Sequence, residues 1–362
     1  MELLSGGQAS LSLKGSYKTL FFDTKRQATN TNSVADLNRL RTEWGARYKI
    51  LSAKVIWDHE VIGGNFVNSE EFAARQVVRN TPYLNMDYEL VHKNSFFYGQ
   101  NFYRAYAELD PGPFHLTVGR QKVDWGVMRM LSPADLFTPL SIFDVEREEK
   151  VGVTAANLMV PVTSSLRIHS LYAFDPGFDR SRVGGRITKT IGRFDVSVLG
   201  GRFFRDGILG FDFSGDVHKV GVRGELIYDW ADVGKSFVQC AGGVDYGFKN
   251  SFYFALEYFH NGQGTNQAMT SLPFTSSAAQ IRSIHQNFAS LMLKYDVTPL
   301  WILMFQNIVD FNAGSLFINP EMKYSLFQWL DLSGGAQLPV GKTGGEFTAL
   351  PNTYYLQSKV FF

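Results

Sequence analysis

The sequence predicts an all-β fold: a transmembrane, antiparallel, up-and-down β-barrel of about 18 strands in a single domain. Three observations predict it. Stretches of about ten residues in which apolar and polar side chains alternate recur from end to end, with almost no helical periodicity. Short turns and longer loops separate these stretches in turn, the asymmetry of a barrel whose tight turns face the periplasm. Aromatic residues such as Tyr17, Trp44, Tyr48, Trp57, Tyr258, Tyr295, Trp301 and Tyr324 gather where strands end, as interface girdles do.

Composition agrees. The 362 residues carry a net charge of +1, 15% aromatics and a mean hydropathy of -0.10. No apolar run approaches the roughly 18 residues of a spanning helix, whereas alternating lipid-facing and water-facing residues average to such a hydropathy. The balanced charge gives no footprint for nucleic acid. One cysteine, Cys240, excludes an internal disulfide framework. The start "MELLSGGQAS" has no basic n-region followed by a long apolar run, and reads as a mature chain with its export signal removed.

The strands follow in order. Leu11, Leu13, Tyr17 and Phe21 alternate with Ser12, Lys14 and Lys18 over 8–21; Leu40, Trp44 and Tyr48 alternate with Arg39, Arg41, Glu43 and Arg47 over 37–47. Further strands are expected at 51–61, 97–110, 113–124, 150–160, 165–174, 181–190, 193–204, 206–214, 218–229, 236–248, 251–261, 285–297, 300–311, 315–326, 329–339 and 353–362. Reading 206–229 as two strands keeps the count even; 16 strands is the alternative. A barrel of this count has a radius of roughly 18 Å, too wide for wall side chains to fill.

The last strand, "TYYLQSKVFF", places Tyr354, Leu356, Val360 and Phe362 on one face toward outer-membrane lipid, and closes the sheet against strand 8–21. This tail resembles the C-terminal signal read by the outer-membrane barrel insertase. The expected location is therefore the cell outer membrane.

Alternation also assigns the inward charges, because a charge held in lipid costs roughly 2–4 kcal/mol at midplane. The expected pore-lining cations are Arg39, Arg41, Arg47, Arg104, Arg120, Arg167, Arg182, Arg186, Arg223, Lys323 and Lys359; the anions include Glu43, Glu108, Glu225, Asp245 and Glu321. The signs nearly balance, so the simplest reading is a ladder of ion pairs on a wet wall. Local rows such as Arg39, Arg41 and Arg47 would bias permeation toward anions.

Three long loops stand out. In 125–149, Trp125, Ser132, Asp135 and Phe137 mark either a constriction folded into the lumen or an extracellular cap: "SPADLF" has Ser132 as helix N-cap, Pro133 at the first helical position and Asp135 in the first turn, and Gly119 is the expected bulge that turns Arg120 inward. In 62–96, "NSEEFAARQVVRN" is a short helix capped by Asn68 or Ser69, in a loop long enough for a plug, lid or partner surface. Loop 262–283 is polar and small-residued.

Gly119-Arg120-Gln121, Trp125-Gly126 and Pro133-x-Asp135-Leu136-Phe137 resemble a "G-R-Q…W-G…P-x-D-L-F" element of Gram-negative porin-like outer-membrane proteins, similar to alginate-export-like barrels and to the barrel components of porin–cytochrome conduits. "LGFDFSGDV", "GVRGEL" and "DYGF…FALEYFHNG" look like further parts of the pattern. The resemblance implies either a channel for passive diffusion of small polar or ionic solutes, or a sheath around a partner multihaem c-type cytochrome that carries electrons. Neither role gives the chain a cofactor of its own. No catalytic residue is expected: the seven histidines show no metal spacing, and G-x-S-x-G, H-E-x-x-H and P-loop patterns are absent.

Overall fold

The computed structural model describes residues 2–6, 9–26, 31–79, 84–137, 150, 152–175, 181–232, 234–265, 283 and 285–362. Its strands are β1 (Glu2–Gly6), β2 (Ala9–Arg26), β3 (Thr31–Tyr48), β4 (Leu51–Gly63), β5 (Asp87–Lys93), β6 (Phe96–Leu109), β7 (His115–Gln121), β8 (Val153–Thr163), β9 (Leu166–Ala173) and β10 (Arg182–Ile191). There follow β11 (Phe194–Phe203), β12 (Asp206–Val217), β13 (Val220–Trp230), β14 (Phe237–Gly247), β15 (Phe252–Asn261), β16 (Asn287–Thr298), β17 (Trp301–Asp310), β18 (Ser315–Phe327), β19 (Leu330–Val340) and β20 (Asn352–Phe361).

All 20 strands lie in one sheet, and every strand pairing in it is antiparallel. Eighteen of them, all but β1 and β5, form a closed barrel. Closure is made by β20 against β2, from Ser16 opposite Phe361 to Lys25 opposite Asn352. The backbones of Gly15 and Phe362 exchange both hydrogen bonds, at 2.8 and 2.9 Å, one step past the last strand residue. The Phe362 ring lies where a Cβ on Gly15 would sit, so that position has no room for a side chain.

The outer face is apolar. Phe21, Leu40, Val198, Leu209, Leu226 and Leu256 are exposed while their strand neighbours on the other face are buried, and Trp44, Ile187, Leu356 and Phe362 are exposed as well. That is the pattern of a wall with lipid outside. Short turns at one end use left-handed backbone at Lys49, His218 and Lys219, which lets two residues reverse the chain, and at Ser251 in a four-residue turn.

The structure adds to the expected elements. β2 and β3 run on to Arg26 opposite Thr31, well into the expected loop 23–36, because the polar residues there continue the ladder without alternating. In loop 62–96 a 3-10 turn (Asn65–Asn68) leads into helix α1 (Glu70–Arg79), capped by Ser69 Oγ accepting from Phe72 N–H at 3.1 Å. The same loop holds the unexpected β5, which pairs the upper half of β6 while β7 pairs its lower half. Loop residues 266–282 and 138–149 lie outside the described residues.

Gly119 does not make a bulge. Pairing to β6 and β8 stays in register across it, with a left-handed φ of 125° at the glycine itself. Val118 is exposed and Arg120 fully buried. A Cβ at Gly119 would lie 2.3 Å from the Ala105 carbonyl oxygen. Gly119→Val is therefore expected to cost more than about 1–3 kcal/mol of barrel stability, since positional strain adds to a backbone clash. A heat-modifiability melt reads this; an unchanged midpoint would show that the backbone there relaxes freely.

Candidate functional site

β7 ends at Gln121, three residues short of the expected 124, and the chain leaves the wall. Val123, Trp125, Ala134, Leu136 and Phe137 bury themselves against Ala155, Leu171, Leu199, Phe203, Ile208 and Ile227. These wall residues alternate with exposed Val198, Leu209 and Leu226, so they face the lumen, and the loop is folded inside the barrel. Trp125 and Phe137 meet edge to face at 4.8 Å between ring centroids.

No helix forms at "SPADLF"; Pro133 and Ala134 make a turn instead. The backbone there is drawn to β13 instead: the Ser132 hydroxyl donates to Glu225 at 2.8 Å. Glu225 also accepts from the backbone N–H of Val127, Met128 and Ala134, the last two at 2.9 and 2.8 Å. Glu257 of β15 accepts from the N–H groups of Arg129, Met130 and Leu131, at 2.5, 2.9 and 3.4 Å. The loop carbonyls are met by arginines. Arg186 donates to Trp125 O, Arg223 to Val127 O at 2.9 Å, and Arg182 to Phe137 O at 3.2 Å. Lys150 bridges Asp124 and Asp135. Burial pushes the Asp135 carboxyl up to about 7, against the opposing pull of Lys150.

Each of those wall arginines has a carboxylate on the wall or at its rim: Arg186 with Asp212 at 2.7 Å, Arg223 with Asp245 at 2.6 Å, and Arg182 with Asp175 at 3.3 Å. Arg129 projects from the loop with its side chain half exposed, 3.6 Å from Asp245.

A second charged surface crosses the seam. Asp331, Lys359, Lys18, Arg39 and Glu60 are successive cross-strand partners on β19, β20, β2, β3 and β4. Arg39 bonds Glu60, and Arg41 forms a two-pronged pair with Asp58, both contacts 2.7 Å. The Tyr103 ring lies between the guanidinium groups of Arg41 and Arg104, at 4.2 and 4.3 Å. A β-bulge opposite Ile56 and Trp57 shifts the phase of β6 at this point.

The other expected lining residues are spread along the wall. Glu43, Arg47 and Glu108 line a cavity of about 250 Å3 toward the short-turn end, with Lys14, Lys54 and Tyr106. Arg47 is thus well separated from the buried Arg39 and Arg41 and forms no single ring with them. Arg167 pairs with Asp195 at 2.8 Å, and Lys323 with Asp331 at 3.1 Å; Glu321 shares the half-buried inner face of β18 with Lys323. Arg120 has no exposed surface and lies within the wall, 3.4 Å from Asp87 of β5.

Sequence reasoning missed Glu257 and Arg129. It also missed two apolar patches inside the barrel. Phe66, Val67 and Phe72 of loop 62–96 pack on Leu20, Phe22, Leu37, Ile62 and Phe97. Phe347, from the 341–351 connection, packs with Met130, Phe259, Phe288 and Phe317. Beside the latter, His285 Nδ1 and Asp310 are 2.7 Å apart, and Glu346 accepts from His285 N–H at 2.9 Å. Among the described residues, no group of three or more His, Cys, Asp or Glu is arranged to hold a metal ion.

A closed 18-strand barrel, greasy outside, with charged residues and infolded loops within, has the fold of an outer-membrane β-barrel protein. Solved structures share that fold over nearly their whole length. The chain is similar to Pseudomonas aeruginosa OccK9 (OpdG), at TM-score 0.63 and 11% identity over 97% of this chain and 98% of that one. It is similar to Pseudomonas aeruginosa OprD at TM-score 0.60 and 10% identity, covering 97% and 95%. The outer membrane protein opdK of Pseudomonas aeruginosa matches at 0.59 and 11%, covering 97% and 99%. No protein-family model and no curated protein matches the chain.

Proposed function

We propose that this chain is an outer-membrane channel through which small polar or ionic solutes diffuse, with loop 122–137 setting the bore. The observation that carries it is that loop, folded into the lumen and bonded to the wall by Glu225, Glu257, Arg182, Arg186 and Arg223. Past it the wall keeps its charged side chains, a wet surface for solutes. The partners of this role are outer-membrane lipid and, during assembly, the barrel insertase that reads the tail. The likeness to alginate-export-like barrels and to porin–cytochrome conduits rests on the 119–137 element and its companions at 209–262. A conduit sheath needs its lumen free for a multihaem cytochrome, and three sets of loop residues packed inside the barrel argue against that use.

The test is planar-bilayer recording on protein purified from its native membrane, beside a haem-stained gel. A colourless barrel giving discrete conductance steps is expected. Arg129→Glu, which reverses the half-exposed charge on the loop, is expected to move the permeability ratio several-fold toward cations. Haem migrating with the barrel and no conductance would overturn the channel reading.

A further inference from the structure

We propose that Glu225 and Glu257 are the positioning residues of the constriction: two wall carboxylates clasp the loop by its backbone, and the bore is as narrow as the clasp holds it. The proposal rests on the channel reading above and adds what controls that bore.

The donors make the case. Six loop N–H groups, those of Val127, Met128, Arg129, Met130, Leu131 and Ala134, bond the two carboxylates. Five of these belong to consecutive residues without helix or strand structure. A buried irregular segment must find partners for its N–H groups, and here the wall supplies them as anions, the strongest acceptors available. Both carboxylates are buried, at 3% exposure each, and both face the loop.

The wall between them is shaped for this contact. Glu225 lies opposite Ala241 on β14, and Glu257 opposite Gly243. A Cβ at Gly243 would stand 3.1 Å from the Met128 methyl and 2.9 Å from Glu257 Cγ, so small residues open the space that the loop enters. Because the clasp grips main chain, it sets the path of the loop independently of most loop side chains. Bonding to Arg129 N–H also fixes the base from which the Arg129 side chain reaches the bore.

The variants are Glu225→Ala, Glu257→Ala and the near-isosteric Glu225→Gln and Glu257→Gln, each first shown to be a folded, heat-modifiable barrel. Hydrogen–deuterium exchange of residues 127–134 and single-channel conductance are read on the same samples. In the alanine variants the loop amides are expected to exchange at least about tenfold faster, and the conductance to rise with added flicker. The glutamine variants, with one acceptor oxygen in place of two, are expected to fall between and supply the test if an alanine variant does not fold. Exchange at 127–134 unchanged from the wild type in folded variants of both positions would overturn the clasp. Faster exchange with unchanged conductance would leave the clasp standing as an anchor and refute its control of the bore. A wild type with no conductance at all would refute the channel reading while exchange still judged the anchor.

Discussion

A chain lacking residues 352–362 is expected to yield no heat-modifiable barrel, in lipid or in detergent. The deletion removes β20, whose ladders join β19 on one side and β2 on the other. Two sheet edges would then face hydrocarbon, where each unpaired backbone group costs several kcal/mol. Side-chain packing cannot offset a loss of that size. Removing Phe362 alone separates two roles of the tail. It deletes one reciprocal pair of backbone bonds with Gly15 and the ring packed over that glycine, and leaves the β2–β20 ladder from Ser16 to Lys25 intact. That variant is expected to refold in vitro with a slightly lower midpoint and, on the proposal that the insertase reads the terminal aromatic, to accumulate poorly in cells. Equal accumulation of the two chains in the outer membrane would show that Phe362 is no part of such a signal.

The second large effect is expected at Asp58. It accepts both prongs of Arg41 at 2.7 Å and lies 3.7 Å from Arg39, with all three residues almost wholly buried. Asp58→Ala removes the two-pronged carboxylate partner of Arg41 and weakens the surroundings of Arg39. Breaking a buried pair in this way costs about 3–5 kcal/mol, and the wet lumen beside it should hold the loss to the lower part of that range. Replacing both partners behaves differently, because no uncompensated charge remains. Arg41→Leu with Asp58→Ala is expected to recover a good part of the lost stability, short of all of it, since the stacking of Arg41 on Tyr103 is gone as well. Denaturant or thermal midpoints of the two single variants and the double variant close the cycle. Additive losses would mean that Arg41 and Asp58 contribute independently, and that Arg41 finds another partner when Asp58 is removed.

The wall was legible because a membrane barrel writes itself in period two. Wherever lipid lies on one side and water on the other, as along Leu226 and Glu225, the alternation gives both the strand and its facing. The count of eighteen, the tight turns near 49, 192, 218 and 299, and the Ser69 cap of α1 all follow from local chemistry of that kind. The signal fades where the inner face is itself apolar. In β15, Phe254 and Leu256 face out while Ala255 and Phe259 face in, and Glu257 had no contrast to mark it. In β2, Leu20 and Phe22 face inward between outward Phe21 and Asp23, and the run reads as a strand end when it is a seat for loop 62–96.

The sequence by itself determined the antiparallel barrel and its closure by the aromatic tail. Each of these depends only on whether neighbouring side chains meet lipid or water. The tertiary structure decided what occupies the lumen. "SPADLF" carries a sound helix start, yet Ser132 donates to a glutamate more than ninety positions away in the chain, and its neighbours' N–H groups go to the same carboxylate. Such partners are brought together by barrel closure, and no local pattern announces them. Arg120 is fully buried, and the Asp87 carboxylate beside it comes from β5, a strand the alternation did not mark. Alternation says which way a side chain points; only the closed barrel says what it meets there.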